Sequence, residues 1–587
     1  MPGFSAATQA WFTSAFGSPT LVQEQAWAAV AEGDDVLVVA PTGSGKTLAA
    51  FLWAIDQLVG TPSTRDDSIE PIDLVQVLYV SPLKALAVDV ERNLRAPLVG
   101  IQHEATRLGL PLRSVRIGVR TGDTTPQDRR QMAQHPPHIC ITTPESLFLL
   151  LTSQARSMLA GVHTVILDEV HAIAGTKRGA HLAVSLERLD ALLPQPAQRI
   201  GLSATVRPLD AVAAFLRPAR PATIVAPPTE KQWDLRVQVA VENMSDLAAS
   251  SHATGDLSGD ASAAPLISAA ERRSSIWPAV DEVLAEQIQQ HHSTLVFANS
   301  RRLAERITAR INDIAGEQDL PPLARAHHGS VSREQRTAIE EALKSGHLPA
   351  VVATSSLELG IDMGAIDCVV QVQAPPSVAA GLQRVGRAGH QVGATSRGIF
   401  LPTHRSDLQA TAVVTERMRT GDIEPLRIPS NPLDVLAQQI VAMVAMDDWK
   451  VDDLLGLLRR SAPFTALSDA VYEAVLDMLS GRYPSEDFAE LRPRLIWDRQ
   501  TNMLTGRPGA QRLAVTSGGT IPDRGLFGVF LAGTAPGTPG ARVGELDEEM
   551  VYESRVGEVI ALGASSWRIE QITHDRVLVN PAPGVPG

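Results

Sequence analysis

The 587-residue sequence predicts an α/β protein: two parallel-sheet units of similar size, then a helical domain, then the beginning of a β-module. Three observations carry this reading. Short β-branched runs alternate with helical periods over residues 1–228, the pattern of a parallel sheet covered by helices. The same rhythm returns after a polar, small-residue stretch and lasts to residue 425. Beyond it the periodicity is first helical, then that of short strands between Gly/Pro turns.

In the first unit, Asp35–Ala40, Asp73–Val80, His138–Thr142 and Thr164–Leu167 read as buried strands, and Thr47–Leu58 as a helix. Between Ser245 and Ala264, 17 of 20 residues are Ala, Ser, Thr, Gly or Asp. So few apolar side chains cannot offset the entropy of ordering, and a flexible insertion is expected near 243–272. The second unit has strands at Thr294–Phe297, Ala350–Thr354, Cys368–Val372 and Gly398–Leu401. Asn431–Met446 and Val451–Arg460 place Val, Leu and Ile at helical spacing, and short strands begin after Gly518. The expected divisions are 1–228, 229–425, 426–522 and 523–587. The last is about 65 residues long, short of the strands a closed barrel needs, so a C-terminally truncated protein is expected.

Composition excludes several classes. Only Cys140 and Cys368 occur, 228 positions apart, which rules out a disulfide scaffold or a cysteine-built zinc module. No apolar run reaches the roughly 18 residues of a membrane span. The first cation is Lys46, so a signal peptide or presequence has no basic segment, and a soluble cytoplasmic chain is expected. Fifty-two Lys and Arg against 65 Asp and Glu leave a net charge of −13, which disfavours nucleic-acid binding by bulk charge but permits a local basic groove. Lysine supplies only 6 of the 52 cations, so a lysine at a motif position stands out.

Ala40-Pro-Thr-Gly-Ser-Gly-Lys-Thr47 joins a strand to a helix. In that context Thr42, Gly43, Ser44 and Gly45 turn backbone N–H groups towards a phosphate. Lys46 reaches the β/γ oxygens and the Thr47 hydroxyl holds Mg²⁺. The usual first glycine of such a loop is Ala40 here. Asp168-Glu-Val-His171 ends an apolar strand, where a doubly wound sheet places its ligand. Asp168 would hold the metal ion, and Glu169 would orient and deprotonate the water that attacks the γ-phosphate.

These residues belong to an ordered set that resembles superfamily 2 helicases. Phe16 with Pro19-Thr-Leu-Val-Gln23 is similar to their adenine-reading Q motif, with Gln23 as the reader. Ser81-Pro-Leu-Lys-Ala-Leu-Ala87 resembles motif Ia, Arg120-Thr-Gly-Asp-Thr124 motif Ic, Thr142-Thr-Pro-Glu-Ser146 motif Ib and Ser203-Ala-Thr205 motif III. In the second unit Leu295–Arg301 resembles motif IV, Ala353–Asp362 motif V and Gln383-Arg-Val-Gly-Arg-Ala-Gly-His390 motif VI. The resemblance implies two RecA-like lobes with ATP and Mg²⁺ between them. It makes Arg387 the arginine finger with Arg384 beside it, adds Gly360 and Asp362 to the nucleotide site, and gives Ser203, Thr205 and Gln383 a coupling role. Ser81, Lys84, Thr142 and Thr143 in lobe one, with Thr354 and Ser355 in lobe two, would line a phosphate-backbone groove read without base sequence. His390 stands where the family commonly has a third arginine.

Gly175-Thr-Lys-Arg-Gly179, Ser355–Asp362, Ile428-Pro-Ser-Asn-Pro-Leu-Asp434 and the terminal Trp567-Arg-Ile…Pro-Ala-Pro-Gly584 narrow the resemblance to the large helicase-related (Lhr) family. It implies a winged-helix-like domain and the start of a β-barrel after the lobes. It also implies a DNA-dependent ATPase that tracks 3′ to 5′ along single-stranded DNA and unwinds DNA or RNA:DNA duplexes, linked to DNA repair. The rivals are an ATP-dependent RNA helicase or remodelling translocase, and a nucleic-acid-binding scaffold without productive ATPase. Strand alternation puts Trp567 and Ile569 on one face and Arg568 on the other, and Trp567 is the expected base-stacking platform.

Overall fold

The computed structural model describes residues 1–60 except 2 and 42, 74–242 except 112, 221, 229 and 230, then 244, 275–358 except 330 and 332, 366–389, 394–483, 492–520, 526–533, 542–547, 551, 554–562, 565–573 and 576–582. The expected insertion near 243–272 lies almost wholly outside the described residues. Met1–Gly518 form one compact body and Gly519–Gly587 a second.

The first sheet of the large body contains β1 (Val36–Val39), β2 (Val77–Val80), β3 (Ile117–Arg120), β4 (Ile139–Thr142), β5 (Thr164–Leu167), β6 (Gln198–Ser203) and β7 (Thr223–Val225). All pairs are parallel, in the order β3-β4-β2-β5-β6-β1-β7. The inner strands β1, β2, β4 and β5 are buried throughout and mostly apolar, as helices on both faces require. Edge strands β3 and β7 are partly exposed. Because β5, β6 and β1 are neighbours, the loops at their carboxyl ends lie side by side: the phosphate loop, Asp168-Glu169 and Ser203.

The second sheet holds β8 (Trp233–Val237), β9 (Thr294–Phe297), β10 (Ala324–His327), β11 (Ala350–Ala353), β12 (Cys368–Val372) and β13 (Ser396–Leu401). It too is parallel, ordered β10-β11-β9-β12-β13-β8. The chain therefore enters lobe two at an edge strand. The short helix Val378–Val385 follows β12 and leads to Arg387.

Three helices, Leu433–Val444, Val451–Arg459 and Asp469–Ser480, follow with an antiparallel sheet of β14 (Trp449–Lys450), β15 (Leu495–Asp498) and β16 (Met503–Gly506). Sequence periodicity shows the helices but not these strands, which are two to four residues long and alternate too briefly to register. Their core, including Leu436, Ile440, Leu454, Tyr472 and Leu504, also takes in Ala180 and Val184 of the lobe-one helix Lys177–Asp190. A buried polar seam runs along that contact. Arg188 donates to Gln439 (3.0 Å) and Thr152 (3.1 Å), and Gln439 donates to Ser185 (3.2 Å) and the His181 carbonyl (3.0 Å).

Beside it lies a chain of ions. Arg199, 2% exposed, pairs with Glu187 (2.8 Å) and Asp190 (2.6 Å); Arg217 pairs with Asp190 and Asp35, each at 3.2 Å; Arg460 reaches Glu187 at 3.0 Å. Removing one member strands buried charges. Arg199→Ala is therefore expected to cost about 3 kcal/mol, read as a thermal midpoint several degrees lower. A variant with an unchanged midpoint contradicts this.

The small body is an open sheet of β17 (Leu526–Leu531), β18 (Arg542–Asp547), β19 (Val559–Leu562), β20 (Ser565–Ile572) and β21 (Arg576–Pro581), ordered β18-β17-β21-β20-β19. β17 and β21 are parallel and the other pairs antiparallel. Val529, Ile569, Val577 and Val579 are its fully buried centre. No helix among the described residues is long and apolar enough to cross a membrane.

Candidate functional site

The phosphate loop needs backbone that only glycine adopts freely: Gly43 and Gly45 have φ of 81° and 84°. A Cβ on Gly45 would meet the Gln23 side-chain nitrogen at 2.6 Å. Gln23 itself is buried. Its side-chain oxygen accepts from the Thr20 N–H (3.0 Å), closing the capping box of the helix Leu21–Ala31, and its nitrogen donates to the Gly45 carbonyl (3.4 Å). The Q motif thus braces the phosphate loop directly, and Thr20 adds a bond to the Ser44 carbonyl at 3.2 Å. Ser44 closes the loop on the Pro41 carbonyl (2.8 Å). Thr42 lies outside the described residues.

Lys46 and Thr47 begin the helix Lys46–Gly60. The Lys46 ammonium donates to the carbonyls of Ala40 and Pro41. Burial lowers its pKa, opposed by Glu169 and Asp168 and reinforced by Arg387, so both carboxylates and the lobe-two arginine are within electrostatic reach. Thr47 is exposed.

Asp168 sits at the end of β5 with both oxygens engaged. One accepts from the Glu169 backbone N–H (2.8 Å) and the other from the Tyr79 hydroxyl. Burial and the neighbouring Glu169 raise its pKa. Glu169 has φ 46° and ψ 45°, a left-handed conformation that costs a non-glycine residue about 1–3 kcal/mol and concentrates at functional sites. His171 ties this loop to the next. Its Nδ1 accepts from the Ala204 N–H (3.1 Å), lies 3.3 Å from the Ser203 hydroxyl and 3.5 Å from a Glu169 oxygen. Burial, aided by Lys46 and Arg387, pushes the imidazole down to about 3, so it is neutral. Thr205 is exposed beyond it.

Lobe two separates the two motif VI arginines. Arg384 is locked inside its own lobe: it donates to Glu358 (2.9 Å), Asn299 (3.0 Å) and Gln371 (2.9 Å) and lies 5.2 Å from the Phe297 ring centroid. It joins motifs IV, V and VI. Arg387, also buried, is near enough to lobe one to add to burial in lowering the pKa of Lys46 and His171. Gln383 is half-buried on the same helix, while Gly360, Asp362 and His390 lie outside the described residues.

The groove residues divide in the same way. Ser81, Thr142 and Thr143 are buried and their hydroxyls serve the fold: Ser81 bonds the Leu83 carbonyl (3.0 Å), Thr142 the Arg120 carbonyl (2.7 Å), and Thr143 caps the helix Pro144–Leu151. Lys84 is exposed and paired with Asp123 at 2.7 Å. Thr354 and Ser355 lie at the end of β11, Ser355 exposed. In the small body Trp567 is half-buried against the sheet core, its indole N–H 3.4 Å from the Leu562 carbonyl, with Arg568 exposed and Ile569 buried.

Sequence motifs missed three residues. Tyr79 reaches Asp168 because β2 and β5 are neighbours, which no local pattern shows. His171 was visible as part of Asp-Glu-Val-His, but not its link to Ser203. Lys231, before β8, donates to the Gly386 carbonyl (3.4 Å); the scarcity of lysine was the signal that could have found it.

Residues 20–212 match the DEAD/DEAH box helicase family, 277–391 the helicase conserved C-terminal domain, and 416–587 the large helicase-related protein winged helix domain. The chain is 59% identical, over 99% of its length, to the Lhr helicase/probable uracil glycosylase of Mycolicibacterium smegmatis, and 54% identical, over 99%, to the Lhr helicase/uracil glycosylase of Escherichia coli. It spans 38% and 39% of those relatives' lengths. The solved structure of Mycobacterium smegmatis helicase Lhr bound to ssDNA and AMP-PNP aligns with a TM-score of 0.79 at 56% identity, covering 96% of this chain and 68% of that one. A helicase MrfA bound to DNA and AMPPNP shares the fold at 19% identity, TM-score 0.66, over 99% of this chain and 73% of that one. The two parallel-sheet lobes, the motifs at their strand ends and these similarities agree: the chain belongs to the Lhr family of superfamily 2 ATP-dependent helicases.

Proposed function

We propose that this chain is an ATP-driven motor that tracks 3′ to 5′ along single-stranded DNA and unwinds DNA or RNA:DNA duplexes. The observation that carries the reading is the phosphate loop, with its left-handed Gly43 and Gly45, beside the Tyr79- and backbone-held Asp168-Glu169 pair at neighbouring strand ends, with Arg387 of lobe two in electrostatic reach of Lys46 and His171. An arginine from the second lobe can stabilise γ-phosphoryl charge only when the lobes close, which links hydrolysis to motion. The relative solved with ssDNA and AMP-PNP supports both ligands. Two relatives named helicase/uracil glycosylase support a place in DNA repair. The proposed divisions are lobe one at 1–228, lobe two at 229–425, a winged-helix-like domain at 426–522 and a β-module from 523.

Mg²⁺ fits the donor set. Among the described residues no group of three or more His, Cys, Asp or Glu could hold a metal alone. Magnesium in phosphoryl-transfer sites is instead held by one or two protein groups plus phosphate oxygens. Thr47 and Asp168 would supply those groups, and the ion would neutralise charge on the β- and γ-oxygens. Tyr79 and the Glu169 N–H orient the Asp168 carboxylate, while Glu169 takes the proton of the attacking water.

Lys84, Thr354, Ser355 and the loops built by Ser81, Thr142 and Thr143 form the proposed strand path. Trp567 stacks on a base of the loading strand, an interaction of roughly 1–3 kcal/mol that ignores sequence. Trp567→Ala should keep ssDNA-stimulated ATP hydrolysis while strand displacement falls sharply. A variant that unwinds as well as the parent, or is unfolded by circular dichroism, makes Trp567 a core residue only. Absence of any ssDNA stimulation in the parent contradicts the motor itself.

A further inference from the structure

The segment between the two parallel sheets carries another cation close to Arg387. Lys231 stands between β7, the last strand of the first sheet, and β8, the first of the second, outside every motif picked out in the sequence. Its ammonium donates to the Gly386 carbonyl at 3.4 Å and lies 5.1 Å from the Trp233 ring centroid. Trp233 is half-buried and packs against the core of the second sheet, so the ring fixes the lysine to lobe two.

Gly386 is the C-cap of the helix Val378–Val385, and the next residue is Arg387. A helix C-terminus presents carbonyls without intrahelical partners at the negative end of the dipole, where a cation is favoured. Lys231 thus holds the end of the helix from which Arg387 emerges. The Arg387 N–H closes the turn on the Arg384 carbonyl at 3.1 Å, and Arg384 is itself locked to Glu358, Asn299 and Gln371. The loop bearing Arg387 is therefore gripped from inside by Arg384 and from the connector by Lys231. Burial, then Arg387 and Lys46, lower the Lys231 pKa to about 8, which places the ammonium in the field of both the finger and the phosphate-loop lysine.

We propose that Lys231 is a positioning residue for the arginine finger: it ties the interlobe connector to the Gly386 carbonyl and so sets where Arg387 points when the lobes close. The proposal rests on Arg387 being the finger. A group that only positions a transition-state contact lowers kcat and leaves ATP binding largely alone, whereas a direct ground-state phosphate contact raises KM.

The test is a double-mutant cycle on ssDNA-stimulated ATP hydrolysis with Lys231→Met, which keeps the stem on Trp233 but removes the charge and donor, and Arg387→Ala. Lys231→Met should lower kcat about tenfold with KM for ATP changed less than about threefold, and Lys231→Arg, still a cationic donor, should recover most of the loss. In the Arg387→Ala background, Lys231→Met should cost less than about twofold, because its effect runs through the finger. The proposal is overturned if KM rises at unchanged kcat, if kcat stays at the parental level, if Lys231→Arg fails to rescue, or if the two losses multiply. A multiplied loss leaves the finger intact and removes only the positioning role. A near-parental rate for Arg387→Ala alone removes the finger as well.

Discussion

Glu169→Gln is expected to cut kcat for ATP hydrolysis roughly 10²- to 10⁴-fold, the usual contribution of a positioned general base, while ATP binding stays within a few-fold. The substitution is nearly isosteric, and the contacts that fix this position belong largely to its backbone. The Glu169 N–H holds Asp168 at 2.8 Å and the left-handed φ of 46° is set by the turn after β5. What the amide cannot do is accept the proton of the attacking water. Lys46, Asp168 and the Gly43–Gly45 loop stay in place to bind Mg·ATP. Single-turnover hydrolysis beside a fluorescent-nucleotide titration separates the two effects. Near-parental turnover contradicts the assignment.

Arg387→Ala should lower kcat about 10³-fold or more, the scale on which arginine fingers act, with nucleotide affinity changed only a few-fold. Arg387 is buried and adds to burial in lowering the pKa of Lys46 and His171, which puts it within electrostatic reach of the phosphate loop. Arg384→Ala differs in kind. It removes the buried donor shared by Glu358, Asn299 and Gln371, so lobe two should lose thermal stability as well as activity. If Arg387→Ala weakens binding and turnover in equal proportion, Arg387 is a ground-state contact.

Much of this architecture was legible because parallel sheets covered on both faces write themselves as apolar runs. Thr164–Leu167, Thr294–Phe297 and Cys368–Val372 coincide with their strands, each buried along its length. Edge strands break that rule. Ala324–His327 and Thr223–Val225 carry polar or exposed positions and look like loop in the sequence. The strands of the winged-helix-like domain are hidden by brevity.

The phosphate loop and Asp168-Glu169 were readable because their chemistry depends on spacing within one loop. Tyr79 on Asp168, His171 on Ser203 and Lys231 on Gly386 depend on which strands and lobes are neighbours, and a linear pattern does not hold that information. Nor could spacing tell Arg384 from Arg387. Three residues apart, one is bonded into the lobe-two interior and the other lies within electrostatic reach of Lys46. Residue type alone points the hydroxyls of Ser81, Thr142 and Thr143 to a strand groove, while in the structure Ser81 and Thr143 bond within their own loops and Thr142 bonds the Arg120 carbonyl of the neighbouring strand.

If closure of the two lobes on ATP drives directional movement along one DNA strand, strand displacement on tailed duplexes will depend on the polarity of the tail. Duplexes with a 3′ or a 5′ single-stranded DNA tail, each with a DNA or an RNA displaced strand, are mixed with parent or Glu169→Gln protein and ATP. Displacement is expected from the 3′-tailed duplexes, of both DNA and RNA strands, by the parent alone. Equal displacement from 5′-tailed duplexes, or displacement by Glu169→Gln at the parental rate, would contradict it.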